Sequence, residues 1–289
     1  MSEDRHLGKH THYPRHYDPE LLVAVPRSEN RKIYDLHEDH LPFTGVDIWH
    51  AYEAGFLTNK GLPVTGVLKI AYPASSSFIV ESKSLKLYLN SLNMEMFGNT
   101  QKEAEEEVLK TIKSDLEKAL STSVRIHFFR REASFPSDLD HFEWLEELPG
   151  IEDHTFSEFR ENQDLLVPGS DGYGEIKVAT HLLRSNCKIT HQPDWGSVYI
   201  HLKGDFIPDK IQLLKYLVSL RNENHFHEEI CEMVYKRLWD HFSPEELLVV
   251  CIYTRRGGID ICPVRASDDA LLPANLIHVE KMTKKLLRQ

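Results

Sequence analysis

The chain has 289 residues, 41% of them apolar and 27% charged, which suits a globular protein of about two domains and excludes collagen, coiled coil and wholesale disorder. No apolar run reaches the roughly 18 residues of a membrane span, and the polar start MSEDRHLGKHTHYPRHYDPE cannot form the core of a secretory signal, so a cytoplasmic location is expected. With 34 basic against 45 acidic residues and a formal charge of −11, stable nucleic-acid binding is not expected.

Residues 1–40 are rich in charge, His and Pro and read as a polar N-terminal extension. Its histidines (His6, His10, His12, His16) could suggest a metal, but no Cys or spaced acidic set completes the ligands. The first ordered unit is expected near Gly61. Residues 64–72 and 77–81 predict two strands around the turn PASS, 73–76. Residues 84–92 place Leu85, Leu89 and Leu92 on one helical face, and 101–120 form a second helix with the stripe Ala104, Val108, Leu109, Ile112, Leu116 and Leu120. A strand follows at 124–129.

After a linker at about 131–178 the pattern returns. Strands are expected at 180–183 and 197–203, helices at 209–220 and 226–242, and strands at 246–254 and 259–264. SLKLYLNSLN at 84–93 resembles LLKYLVSLRN at 213–222, so an internal duplication is inferred. The basic tail 281–288 reads as the end of a solvated helix.

All four cysteines lie in the second half. Cys251 sits in the apolar run LLVVCIY, Cys231 in a helix and Cys262 beside Ile259 and Ile261, so packing roles are expected for these three. Cys187 differs, standing in the polar segment SNCKITHQPDWG, 185–196. Lys188 beside it would favour the nucleophilic thiolate, and Asp194 could fold back to exchange protons. A thiol without a role, or a metal held by Cys187 and His191, are the competing readings.

Three further segments carry chemistry. NHFHEE, 224–229, opens a helix, where a carboxylate could accept the paired N–H donors of a guanine-like edge or simply cap the helix. FIVESKSLKLY, 78–88, runs from a strand into a helix whose first turn offers backbone N–H groups, Lys83 and Lys86 to a phosphate. YTRRGG, 253–258, puts two guanidiniums and two glycines in a turn suited to a bidentate phosphate contact. Either of the last two could equally be a charged surface. Neither a GxGxxG nor a GxxxxGK[ST] motif is present.

Together these segments resemble the NADPH-dependent 7-cyano-7-deazaguanine reductases (QueF) in their long, two-module form. The resemblance runs through GVDIWHAYEAGFLTNKGLP (45–63), ESKSLKLY (81–88), SNCKITHQPDWGSV (185–198), NHFHEE (224–229) and YTRRGGIDICP (253–263), in that order. It implies an α+β chain of two tandem tunnelling-fold modules, each an antiparallel sheet with two helices. The modules would span 41–135, with the ESKSLK motif, and 179–289, with the catalytic Cys, joined by a linker at 136–178. It further implies reduction of a nitrile by NADPH through a covalent thioimide on Cys187, with Asp194 as proton donor. Val80, Glu81, Ser82, His227 and Glu228 would contact substrate; Ser82, Lys83, Arg256 and Gly257 would contact NADPH; no metal is implied. A homodimer is expected. A zinc-dependent cyclohydrolase on the same fold and a non-catalytic nucleobase-binding module are the alternatives.

Overall fold

The computed structural model describes residues 14, 16–131 and 134–286. In chain order the elements are β1 (Ala24–Pro26), α1 (Ser28–Ile33), β2 (Thr44–Thr58), β3 (Pro63–Pro73), β4 (Phe78–Val80), α2 (Ser82–Ser91), β5 (Met96–Phe97), α3 (Gln101–Leu120) and β6 (Arg125–Phe129). The second half adds β7 (Glu143–Trp144), β8 (Pro168–Cys187), β9 (Pro193–Pro208), α4 (Lys210–Ser219), β10 (Asn224–His225), α5 (His227–Phe242), β11 (Glu246–Tyr253), β12 (Ile259–Ala266) and α6 (Ala274–Ile277). The fold class is α+β.

One sheet runs through both halves in the order β10-β8-β9-β11-β12-β2-β3-β6. Its long ladders are antiparallel; β5, β7 and β10 add short parallel pairings. The halves meet at the ladder of β12 with β2, from Ile259 opposite Ala51 to Ala266 opposite Thr44. Helices cover one face. In the first half α2 and α3 pack on Trp49, Leu68 and Ile70, and in the second α4 and α5 pack on Val198, Ile200 and Val249. The opposite face buries Ile48, Val250 and Val264 with Leu139, Leu276 and Val279.

The helices follow local chemistry. Thr100 and Glu103 form a capping box at the start of α3, and its buried stripe is Ala104, Val108, Ile112, Leu116 and Leu120. The first helix of each half shares finer detail. Glu81 and Asp209 are acidic N-caps, each accepting the N–H groups of the second and third helical residues. The hydroxyls of Ser91 and Ser219 both donate to the carbonyl of a buried tyrosine three residues back, Tyr88 and Tyr216. These pairs align the two helices one residue away from the register suggested by SLKLYLNSLN and LLKYLVSLRN.

Several expectations need correction. Order begins well before Gly61: β2 is buried along most of both faces, so it shows no alternation to read. The segment 1–40 is not wholly a surface extension, since β1 pairs with β4 and Arg27 and Arg31 are buried. His6, His10 and His12 lie outside the described residues, while His16 contacts Glu95 at 3.3 Å. Residues 168–178, assigned to the linker, belong to β8, whose Ser-Asp-Gly-Tyr-Gly stretch looks like a loop. The basic tail is not the end of a helix. Beyond α6 its described part runs irregularly over the sheet, and the Lys69 ammonium donates to the carbonyls of Leu276 and Lys281.

Candidate active site

Cys187 is the last residue of β8 and is 8% exposed, not a solvated loop thiol. A tight turn follows, in which the Cys187 N–H donates to Gln192 O and its carbonyl accepts from His191 N–H, with His191 at φ +56°. Burial pushes the thiol's pKa up. Hydrogen bonds from the Thr190 hydroxyl, the N–H groups of Thr190 and Ile189, and Arg256 outweigh it and hold the pKa below its ordinary value. Lys188 is not the activating cation. Its ammonium pairs with Glu229 at 3.0 Å and lies over the Phe226 ring.

The hairpin of β8 and β9 sets Asp194 opposite Ser185. The Asp194 carboxylate, nearly buried, forms an ion pair with Arg256 at 2.6 Å and lies 3.4 Å from His227 Nε2. His227 opens α5 and tilts against Tyr253, ring centroids 3.9 Å apart. The parallel pairing of β10 with β8 places His225 beside Cys187, which fixes the start of α5 against the thiol. Glu229 closes the same corner by accepting from Phe226 N–H and contacting His225.

The first half reaches this place. Ser82, Lys83 and Lys86 of α2 line a cleft of about 180 Å³ with Thr190, Gln192, His227, Arg256 and Gly257. Gly257 has φ +59°, and a Cβ there would stand 2.9 Å from the Lys86 ammonium, so the turn needs glycine to approach the cleft. Lys83, Lys86 and Arg256 give this recess the positive charge that could hold the phosphates of a dinucleotide. The α2 N-terminus does not offer the expected backbone donors, because Lys83 N–H and Ser84 N–H already donate to Glu81. Arg255 does not line the cleft and stacks on Tyr52, 3.4 Å from the ring centre.

Glu228 sits deeper, 2% exposed, and its Oε1 has no hydrogen-bond partner. Burial and neighbouring Asp47 push its pKa up to about 8, against the pull of Arg27 and Arg265. The Tyr72 hydroxyl, which feels the Glu228 charge, accepts from Val80 N–H, linking Val80 to this pocket. The Glu81 side chain instead spends both carboxylate oxygens on the cap of α2. His191 Nδ1 contacts Asn224 at 2.8 Å, and neither Cys187 nor His191 belongs to a cluster of three or more potential ligands among the described residues. Among the described residues His50, Asp260 and Cys262 cluster closely enough to hold an ion, on the opposite face and against Tyr52 and Lys285.

Sequence reasoning did not find Thr190, or the buried charges Arg27 and Asp47 around Glu228. Thr190 stood in the quoted segment, and only its bond to sulfur distinguishes it. Asp47 stood in the quoted segment 45–63 with nothing to mark its partner, and Arg27 lay in the segment read as a polar extension.

A model described as nitrile reductase, 7-cyano-7-deazaguanine-reductase N-term, matches residues 13–128, and one described as QueF-like protein matches 193–270. NADPH-dependent 7-cyano-7-deazaguanine reductases of Coxiella burnetii strains RSA 331 / Henzerling II and CbuG_Q212 are 40% identical over 269 residues, covering 93% of this chain and 93% of each relative. The chain belongs to the 7-cyano-7-deazaguanine reductase (QueF) family. Val80, Glu81, Ser82 and Lys83 fall in the first matched span and Asp194, His227, Glu228, Arg256 and Gly257 in the second, with Cys187 between them. A crystal structure of an archaeosine synthase QueF-Like in the apo form overlaps 34% of this chain and 94% of its own, at 17% identity and a TM-score of 0.29, too slight a likeness to bear on the fold.

Proposed function

We propose that this chain reduces 7-cyano-7-deazaguanine to 7-aminomethyl-7-deazaguanine with NADPH, a step of queuosine biosynthesis. The observation that carries the reading is convergence on one cleft: Ser82, Lys83 and Lys86 from the first half, and Thr190, His227 and Arg256 from the second. Thr190 and Arg256 are also donors to the Cys187 sulfur.

The Cys187 thiolate adds to the nitrile carbon. A carbon–sulfur bond forms, one π pair moves to nitrogen, and that nitrogen takes a proton from Asp194, leaving a covalent thioimide. NADPH, when bound, supplies the hydrides, two per nitrile, that bring the carbon to the amine level. Thr190 and Arg256, which stabilise the thiolate, favour attack and also departure of sulfur when the carbon–sulfur bond breaks. Asp194, held by Arg256 and beside His227, is placed for each proton transfer. Glu228 accepts the N–H edge of the base, while Val80, Glu81, Ser82 and His227 complete the substrate's surroundings. Ser82, Lys83, Arg256 and Gly257 hold the dinucleotide.

The shared order of hairpin and helices, with matched caps in α2 and α4, supports two tandem tunnelling-fold modules, the second taking in all of β8 from Pro168. The outer edge of β6, the last strand of the sheet, supports association as a homodimer. A cytoplasmic location, where a nucleophilic thiol stays reduced, and no stable nucleic-acid partner belong to the same reading. Nicotinamide absorbance followed with protein, NADPH and 7-cyano-7-deazaguanine tests it. Loss that requires both compounds is expected; unchanged absorbance with folded protein would refute it.

A further inference from the structure

Beneath the N-terminus of α5 lies a buried charge network that joins both halves to the segment before β2. Arg27 pairs with Asp47 and lies 3.6 Å from Glu232. Arg31 reaches Glu232 at 2.8 Å, and Arg265 reaches both Asp47, at 2.8 Å, and Glu232, at 3.0 Å. Each of these side chains is at most 3% exposed. Three guanidiniums thus meet two carboxylates, and the buried carboxyl that would balance them is Glu228, one helical turn from Glu232. Arg27 Nε, Arg31 NH1 and Glu228 Oε1 are all buried without a hydrogen-bond partner. Asp47 of β2, Arg265 of β12 and Arg27 before α1 are charged groups that act on Glu228, which acts in turn on Tyr72 of β3.

We propose that Arg27 is a positioning residue for substrate: with Arg265 and Asp47 it sets how readily the Glu228 carboxyl carries charge, and so how tightly the N–H edge of the base is held. The inference rests on the reading of Glu228 as the acceptor of that edge. An excess guanidinium stabilises the carboxylate form, and a base presenting two N–H donors binds that form best. A purely structural network would affect folding and leave the pH dependence of binding where it was.

The test is calorimetric titration of 7-cyano-7-deazaguanine into the full chain carrying Cys187→Ala, without NADPH, from about pH 6 to about pH 9, with Arg27→Gln and Arg27→Lys added in turn. The Cys187→Ala chain should bind more tightly as pH rises through the titration of Glu228. Arg27→Gln should weaken binding at neutral pH about tenfold, the loss of roughly one charge-assisted interaction, and displace the pH midpoint upward. Arg27→Lys, which keeps the charge, should move it less. In chains that retain Cys187, Arg27→Gln should raise KM and leave kcat within about twofold, a loss of binding uniform along the reaction. An unmoved pH profile in Arg27→Gln would overturn the proposal; if that variant does not fold, binding to the Cys187→Ala chain that does not change between about pH 6 and about pH 9 would do so. Glu228→Gln separates the two readings: it should bind weakly with no pH dependence, and binding that keeps the profile would remove Glu228 as the acceptor.

Discussion

At the residue scale, the thiol and the two carboxyls differ in what surrounds them. Cys187 is buried yet acidified by donors from its own turn and from Arg256, whereas burial, with Cys231 beside Cys251 and Asp260 beside Cys262, raises the pKa of those two thiols. The sequence separated these thiols by polarity of context and assigned activation to Lys188, whose ammonium pairs instead with Glu229, because a neighbour in sequence is not a neighbour in a tight turn. Asp194→Asn keeps the shape and loses the exchangeable proton, so turnover should fall about 10²- to 10⁴-fold with substrate binding retained. Steady-state kinetics beside a binding titration checks this, and turnover within a few-fold of wild type would remove Asp194 from the proton transfer. Glu228 affects stability as well as binding. Its pKa of about 8 in the fold, against an ordinary 4.5, means the folded chain holds a proton that the unfolded chain releases. Stability therefore falls as pH rises between those values. Glu228→Gln should raise Tm over wild type by an amount that grows across that window and levels above about pH 8. A pH-independent difference in thermal melts would show that Glu228 is not the group responsible.

At the element scale, strands and turns position the chemistry and helices brace it. The helices were legible because their apolar residues recur on one face and their caps are local, as in the Thr100–Glu103 box of α3. The long strands were read short. β2 is buried on both faces, and β8 begins in a glycine-rich stretch, so neither shows the alternation that marks a half-exposed strand. Capping also decided a point the motif left open: Glu81 and Asp209 take the same helical N–H groups in the two halves, which removes those donors from phosphate binding. In the proposed reading the turn from β11 to β12 then bears more of the dinucleotide. Gly257→Ala must adopt a left-handed conformation, at about 1–2 kcal/mol, with its Cβ against Lys86. It should raise KM for NADPH about tenfold and leave substrate affinity unchanged. An unchanged KM for NADPH would place the dinucleotide elsewhere.

At the scale of the whole molecule, the continuous sheet turns two halves into one site. Ser82, Lys83 and Lys86 belong to the first half and Cys187 and Asp194 to the second, and the β12–β2 ladder with the Arg27–Asp47–Glu232–Arg265 network locks them together. The division of motifs between halves was legible in the sequence. The network was not, because Arg265 and Asp47, for example, stand 218 residues apart and each member alone looks like a surface charge. The central claim is that the second half captures the nitrile and the first is needed to reduce it. Intact-mass spectrometry of the full chain carrying Lys83→Ala and Lys86→Ala tests this most directly, with wild type and Cys187→Ala alongside. With nitrile alone, wild type and the double variant should each gain the mass of one substrate, and Cys187→Ala should gain none. After NADPH is added, the wild-type adduct should disappear while the double variant keeps it. An adduct that forms on Cys187→Ala, or one that the double variant clears as fast as wild type, would contradict the account.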